Sequence, residues 1–92
     1  MPKKNLTAAE KRYYAAVVEL GCCICKMPPE IHHRTGAGMG MRAHNSDVMG
    51  LCPDHHRLGM NGKLAIHKGV KTWEAEHGTQ DYWIQATQDR IF

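Results

Sequence analysis

Apolar positions first fall into a helical rhythm at Tyr13, Val17 and Leu20, spaced i, i+4 and i+7, with Tyr14 and Val18 widening the stripe. Thr7 and Glu10 have the spacing of a capping box, and Gly21 supplies a stop, so the pattern predicts a helix over residues 8–20. Lys11, Arg12 and Glu19 then fall on its wet side. Residues 1–6 read as a frayed basic terminus. Beyond Gly21 the rhythm breaks. Cys22 to Cys25 must turn tightly, Pro28 and Pro29 deny a helix, and residues 30–34 are short enough for a strand. A Gly-rich stretch from Thr35 to Arg42 follows; it lacks the Gly-Lys-Ser/Thr ending of a phosphate-binding loop. Asp47 to Leu51 reads as a return strand, and Pro53 opens a helix that runs to Leu58 before Gly59. After a loop at Asn61-Gly62 come Leu64 to His67, a helix from Lys71 to His77 closed by Gly78, and a last helix over 80–91 around Trp83 and Ile84.

Ninety-two residues make one small domain, spanning 1–92, of α+β class. One Phe, two Trp and three Tyr leave little for a large core, so a staple such as a metal is expected. The formal charge of +3 permits nucleic-acid binding without requiring it. No apolar run approaches a membrane span, so no membrane partner is expected. No secretory core opens the chain, so a cytoplasmic location and reduced cysteines are expected, which favours metal binding over disulfides.

Cys22-x-x-Cys25 and Cys52-x-x-His55 form two matched pairs at knuckle spacing. Zinc prefers four soft or borderline ligands in a tetrahedron, and each pair can chelate from one turn. The set reads as a closed structural zinc site; Cys23 lacks the x-x spacing to Cys25 that Cys22 has. His32, His33, His56 and His67 are left over. Neighbours on a strand face opposite sides, so one of His32 and His33 can bind a metal while the other points toward a substrate. His55 and His56 would diverge by about 100° on a helix and can serve different metals. Spare histidines beside a zinc knot suit metal-assisted phosphodiester hydrolysis, in which a neutral imidazole takes a proton from water. Arg34, Arg42, Arg57, Lys63, Lys68 and Lys71 lie near these histidines in sequence and are candidate phosphate contacts, Arg34 and Arg57 foremost.

The order Cys-x-x-Cys, His-His, Asp47-x-x-x-Leu51-Cys52-x-x-His55-His56 resembles the HNH nucleases, whose ββα-metal unit is two strands and a helix. The strings from Leu20 to Cys25, Glu30 to His33, Leu51 to His56 and Trp73 to Gly78 are similar to the phage recombination-enhancement (Ref-like) nucleases. The resemblance implies a small HNH unit with a zinc knuckle, flanked by N- and C-terminal helices. It implies a metal-dependent DNA endonuclease or nickase, with structural Zn²⁺ and a catalytic divalent ion (Zn²⁺, Mn²⁺, Ni²⁺ or Mg²⁺). It also implies DNA as partner, a RecA-type filament as a second one, and a bacterial host cell for a phage-encoded chain. His33 maps to the general base, His32 and His56 to metal ligands, and Asp47 to the middle motif residue that orients the base, with Asn45 two residues away. Relatives with a further histidine four residues after the counterpart of His56 have a ligand where this chain has Met60; His67 is the candidate to fill that place. The rival function is a non-catalytic zinc module that binds DNA or a protein.

Overall fold

The computed structural model describes residues 6–35 and 46–92, which leaves Arg42, Asn45 and most of the Gly-rich stretch outside the described residues. Helix α1 covers Ala8–Leu20. Thr7 Oγ1 accepts the Glu10 N–H at 3.0 Å while Glu10 Oε1 accepts the Thr7 N–H at 2.9 Å, so two otherwise orphaned donors are satisfied reciprocally. Gly21 ends the helix at φ 81°, where a Cβ would stand 2.8 Å from the Lys26 carbonyl oxygen. Tyr13 and Val17 are buried, but Val18 is 46% exposed. The apolar stripe is therefore narrower than its sequence suggests, because α1 lies against the rest of the molecule along one edge only.

Strands β1 (Glu30–His33) and β2 (Val48–Leu51) form an antiparallel hairpin. Its register pairs Glu30 with Leu51, Ile31 with Gly50, His32 with Met49 and His33 with Val48. Alternation along the strands then sorts the two faces. Met49 and Leu51 enter a core with Cys22, Cys52, Ile66, Trp73 and Ile84. Val48 and Ile31 pack on the α1 side with Tyr13 and Val17. Gly50 admits no side chain, since a Cβ would meet Gly21 O at 2.9 Å and Pro29 Cβ at 3.1 Å.

Helix α2 covers Val70–His77 and inserts Trp73 fully into the core. Helix α3 covers Gln80–Ile91, capped by Thr79, whose hydroxyl accepts the Tyr82 N–H at 3.1 Å. Ile84 joins one core and Ile91 the other, so α3 ties both layers together.

The expected helix from Pro53 to Leu58 is instead a single wide π turn over Asp54–Leu58, in which the Gly59 N–H reaches the Asp54 carbonyl five residues back at 2.8 Å. Gly59, Asn61 and Gly62 all have left-handed backbones, so the chain reverses there and no helix continues. A 3₁₀ turn, Ile66–Lys68, follows. The result is an α+β domain in which terminal helices flank a β-hairpin and a Cys/His cluster. Among the described residues no helix is long and apolar enough to cross a membrane.

Candidate metal centres

Cys22 and Cys25 sit in a knuckle between α1 and β1. The Met27 carbonyl accepts the Cys22 N–H at 2.9 Å, the Cys22 carbonyl accepts the Lys26 N–H at 2.8 Å, and Lys26 adopts φ 69° to close the turn. Cys52 directly follows β2, and His55 rises from the π turn. The four ligand atoms all lie within 4.8 Å of one another. Cys25 Sγ to Cys52 Sγ is 3.7 Å, and His55 Nδ1 is 3.5 Å from Cys22 Sγ and 3.4 Å from Cys52 Sγ. A zinc tetrahedron with ordinary bond lengths has edges of about 3.8 Å between two sulfurs and about 3.6 Å between sulfur and nitrogen. The cluster therefore has the dimensions of a Cys₃His zinc site with no ligand position left open.

Its electrostatics agree. Burial opposes ionisation of Cys22, but the backbone N–H groups of Cys52, Cys25 and Ile24 outweigh it and lower the thiol's pKa. Burial, then thiol hydrogen bonds with Cys52 and Cys22 that favour the protonated form, pushes Cys25 up, and the charge of Cys22 adds to this; a divalent cation between the sulfurs would offset that cost. Burial, then His77 and Lys63, lowers His55 and keeps it the neutral imidazole a metal needs. Cys23 differs from its neighbour: burial, then the adjacent Cys22, drives its thiol up to about 12, and it belongs to no cluster of ligands among the described residues.

A second group comprises His32 from β1, His56 from the π turn and His67 from the 3₁₀ turn, with ligand atoms again within 4.8 Å. Ring centroids are 5.1 Å apart for His32 and His56, 5.6 Å for His32 and His67, and 4.3 Å for His56 and His67. His32 is 1% and His56 9% exposed, whereas His67 is open to solvent. Three protein ligands with one wet side match a metal site that keeps a position open. Burial holds the His32 pKa down to about 4, despite a hydrogen bond to Gln80. His56 Nδ1 is 2.8 Å from Glu30 Oε1; a carboxylate only accepts, so Nδ1 carries a proton and Nε2 is the nitrogen left to face a metal. Arg57 first, then His56, holds the Glu30 carboxyl down to about 2. Met60 is 59% exposed and lies past the left-handed Gly59, so no side chain at 60 could join this group from a continuing helix.

His33 faces away from His32 and is exposed, its Nε2 3.0 Å from the hydroxyl of Tyr14 on α1. Asp47 contributes its carbonyl, which accepts the Arg34 N–H at 3.0 Å. Arg57 makes a two-pronged pair with Glu30, Nη2 to Oε2 at 2.7 Å and Nε to Oε1 at 3.0 Å. Arg34 pairs in the same manner with Asp81 on α3, Nη2 to Oδ2 at 3.2 Å. Lys63 places Nζ 4.0 Å from Cys25 Sγ, beside the cysteine knot.

A family model described as "Protein of unknown function (DUF968)" matches residues 1–92, the whole chain. The chain belongs to that family. No curated protein and no solved structure matches it. Within this member, three residues around the histidines receive no role from the motif pattern: Glu30, Tyr14 and Gln80. Glu30 lies two residues before His32 in the same strand, but its partner is His56, 26 residues on. Tyr14 and Gln80 come from helices 19 and 48 residues away, and nothing local marks them.

Proposed function

We propose that the chain is a metal-dependent endonuclease of HNH type that hydrolyses phosphodiester bonds in DNA. The observation that carries this reading is the convergence of His32, His56 and His67, with one side open, beside a closed Cys₃His knot. In this reading Cys22, Cys25, Cys52 and His55 hold a structural Zn²⁺, and the three histidines hold a second divalent ion. That ion, when bound, supplies charge stabilisation at a phosphate oxygen. Three nitrogen donors suit Zn²⁺, Mn²⁺ or Ni²⁺ better than Mg²⁺, and the carboxylate that touches His56, Glu30, is also engaged by Arg57.

His33 takes the proton of the attacking water. The Tyr14 hydroxyl holds its ring, and the Asp47 carbonyl pins the backbone at Arg34, the next residue. Lys63, Arg42, Arg34 and Arg57 are the proposed phosphate contacts. For Arg34 and Arg57 this means exchanging Asp81 and Glu30 for phosphate, which is feasible because solvent screens ion pairs at the surface and leaves them weak. Those same pairs are what favours a second reading, a zinc module that binds a protein, since two of the expected phosphate ligands are already occupied.

Plasmid nicking across divalent metals, comparing the parent chain with His33→Ala, separates the readings. The substitution is expected to leave fold and zinc content intact and to lower cleavage by about 10²–10⁴-fold. Cleavage at the parent rate refutes the role of His33. One bound zinc and no nicking with any metal favours the binding module.

A further inference from the structure

Gln80, the first residue of α3, is 3% exposed, yet its side-chain amide sits among polar atoms of His32 and Thr35. Its Oε1 accepts the Thr35 backbone N–H at 3.0 Å and lies 3.3 Å from the Thr35 hydroxyl, while its Nε2 donates to the Thr35 carbonyl at 3.1 Å. A backbone N–H can only donate and a carbonyl can only accept, so these two bonds fix which end of the amide is oxygen. That oxygen is also 2.9 Å from His32 Nε2. The ring nitrogen facing it must therefore be the protonated one. The Gln80 N–H in turn donates to Glu74 Oε2 at 2.8 Å, which anchors the start of the helix that delivers the amide.

We infer that Gln80 is a positioning residue that holds His32 in its Nε2–H tautomer, so that Nδ1 presents the lone pair to a metal shared with His56 and His67. The inference rests on the three-histidine site proposed above. It makes Gln80 the counterpart of Glu30, which sets the opposite tautomer at His56 by accepting from Nδ1. Ligand histidines characteristically donate their second ring N–H to such an acceptor, and losing it weakens metal affinity by about 10–100-fold. One buried ligand thus depends on a neutral amide and the other on a carboxylate. The amide adds no charge beside the site, and its second arm clamps the backbone at Thr35, three residues after His32.

Gln80→Met keeps the volume and removes the acceptor; Gln80→Glu keeps an acceptor facing His32. Cobalt titration of the full chain reads the two metal sites separately, since sulfur-to-cobalt charge-transfer bands report the cysteine knot and weaker d–d bands report the histidines. Gln80→Met is expected to weaken cobalt binding at the histidines by about 10–100-fold with the cysteine bands unchanged. Gln80→Glu is expected to restore affinity to within a few-fold. Long-range ¹H–¹⁵N spectra of the parent are expected to show His32 protonated at Nε2. Equal affinity in Gln80→Met, or no rescue by Gln80→Glu, overturns the inference even if DNA is cleaved. No second cobalt in the parent overturns the metal site itself, and absent nicking with normal cobalt behaviour counts only against the nuclease. Should Gln80→Met fail to fold, the tautomer decides: a proton on Nδ1 of His32 overturns the assignment.

Discussion

Cys22 and Cys23 are neighbours of identical chemistry, and their replacement by alanine should have opposite consequences for the metal. Cys22 is fully buried, and its sulfur stands 3.5 Å from His55 Nδ1 within the four-ligand cluster. Structural zinc contributes apparent binding energies of about 10–16 kcal/mol, so an even share is roughly 2.5–4 kcal/mol per ligand. The small void left by the sulfur adds about 1 kcal/mol. A domain of 92 residues has roughly 5–14 kcal/mol of stability in total, so Cys22→Ala removes between a quarter and nearly all of it. At about 4–8 °C per kcal/mol, Tm should fall by at least ~14 °C. Cys23 lines the outside of the core, its thiol in no ligand cluster, and Cys23→Ala should lower stability by about 1 kcal/mol with zinc retained. Zinc per chain by native mass spectrometry, with thermal unfolding by circular dichroism, measures both. Retention of zinc in Cys22→Ala together with its loss in Cys23→Ala would refute the ligand assignment.

Tyr14→Phe removes the hydroxyl 3.0 Å from His33 Nε2 and should slow plasmid nicking several-fold, far less than His33→Ala; an unchanged rate and pH profile would show that Tyr14 does not orient the ring. Gly50→Ala should destabilise by about 1–3 kcal/mol in urea unfolding, because its Cβ would sit 2.9 Å from Gly21 O; neutrality would mean the hairpin is not held so close to the knuckle. Burial lowers His32 from 6.5 to about 4, so the unfolded chain takes up the proton first as pH falls. Without metal at the histidines, the associated stability is complete above pH 6.5 and is lost as pH falls from 6.5 toward 4; His32→Gln should flatten that window of the unfolding curve, and an unaltered slope would count against burial as the cause.

Legibility followed distance along the chain. The caps of α1 are encoded by Thr7, Glu10 and Gly21, and the bounds of α3 by Thr79 and the apolar positions it carries, because caps and periodicity act within a turn or two. Position 18 is the opposite case. Helical phase makes Val18 eligible for burial, but whether anything covers it depends on how much of α1 the hairpin and α3 reach. The residues from Pro53 to Leu58 tolerate an ordinary helix; the segment is instead a π turn closed by the left-handed Gly59, with His55 and His56 falling in two different groups of candidate ligands.

The spacing of Cys22, Cys25, Cys52 and His55 was sufficient by itself to specify a metal knot, since chelation from one turn is a local matter of reach. The same holds for the opposed directions of His32 and His33 on a strand. Which histidines meet was decided by tertiary structure: His67 arrives on a 3₁₀ turn that only the reversal at Gly59, Asn61 and Gly62 places beside His32 and His56. So were the partners that give each ring its chemistry, Tyr14 for His33 and Gln80 for His32. Hydrogen bonds across 19 and 48 residues have no signature in spacing, because they exist only once α1 and α3 have packed on the hairpin.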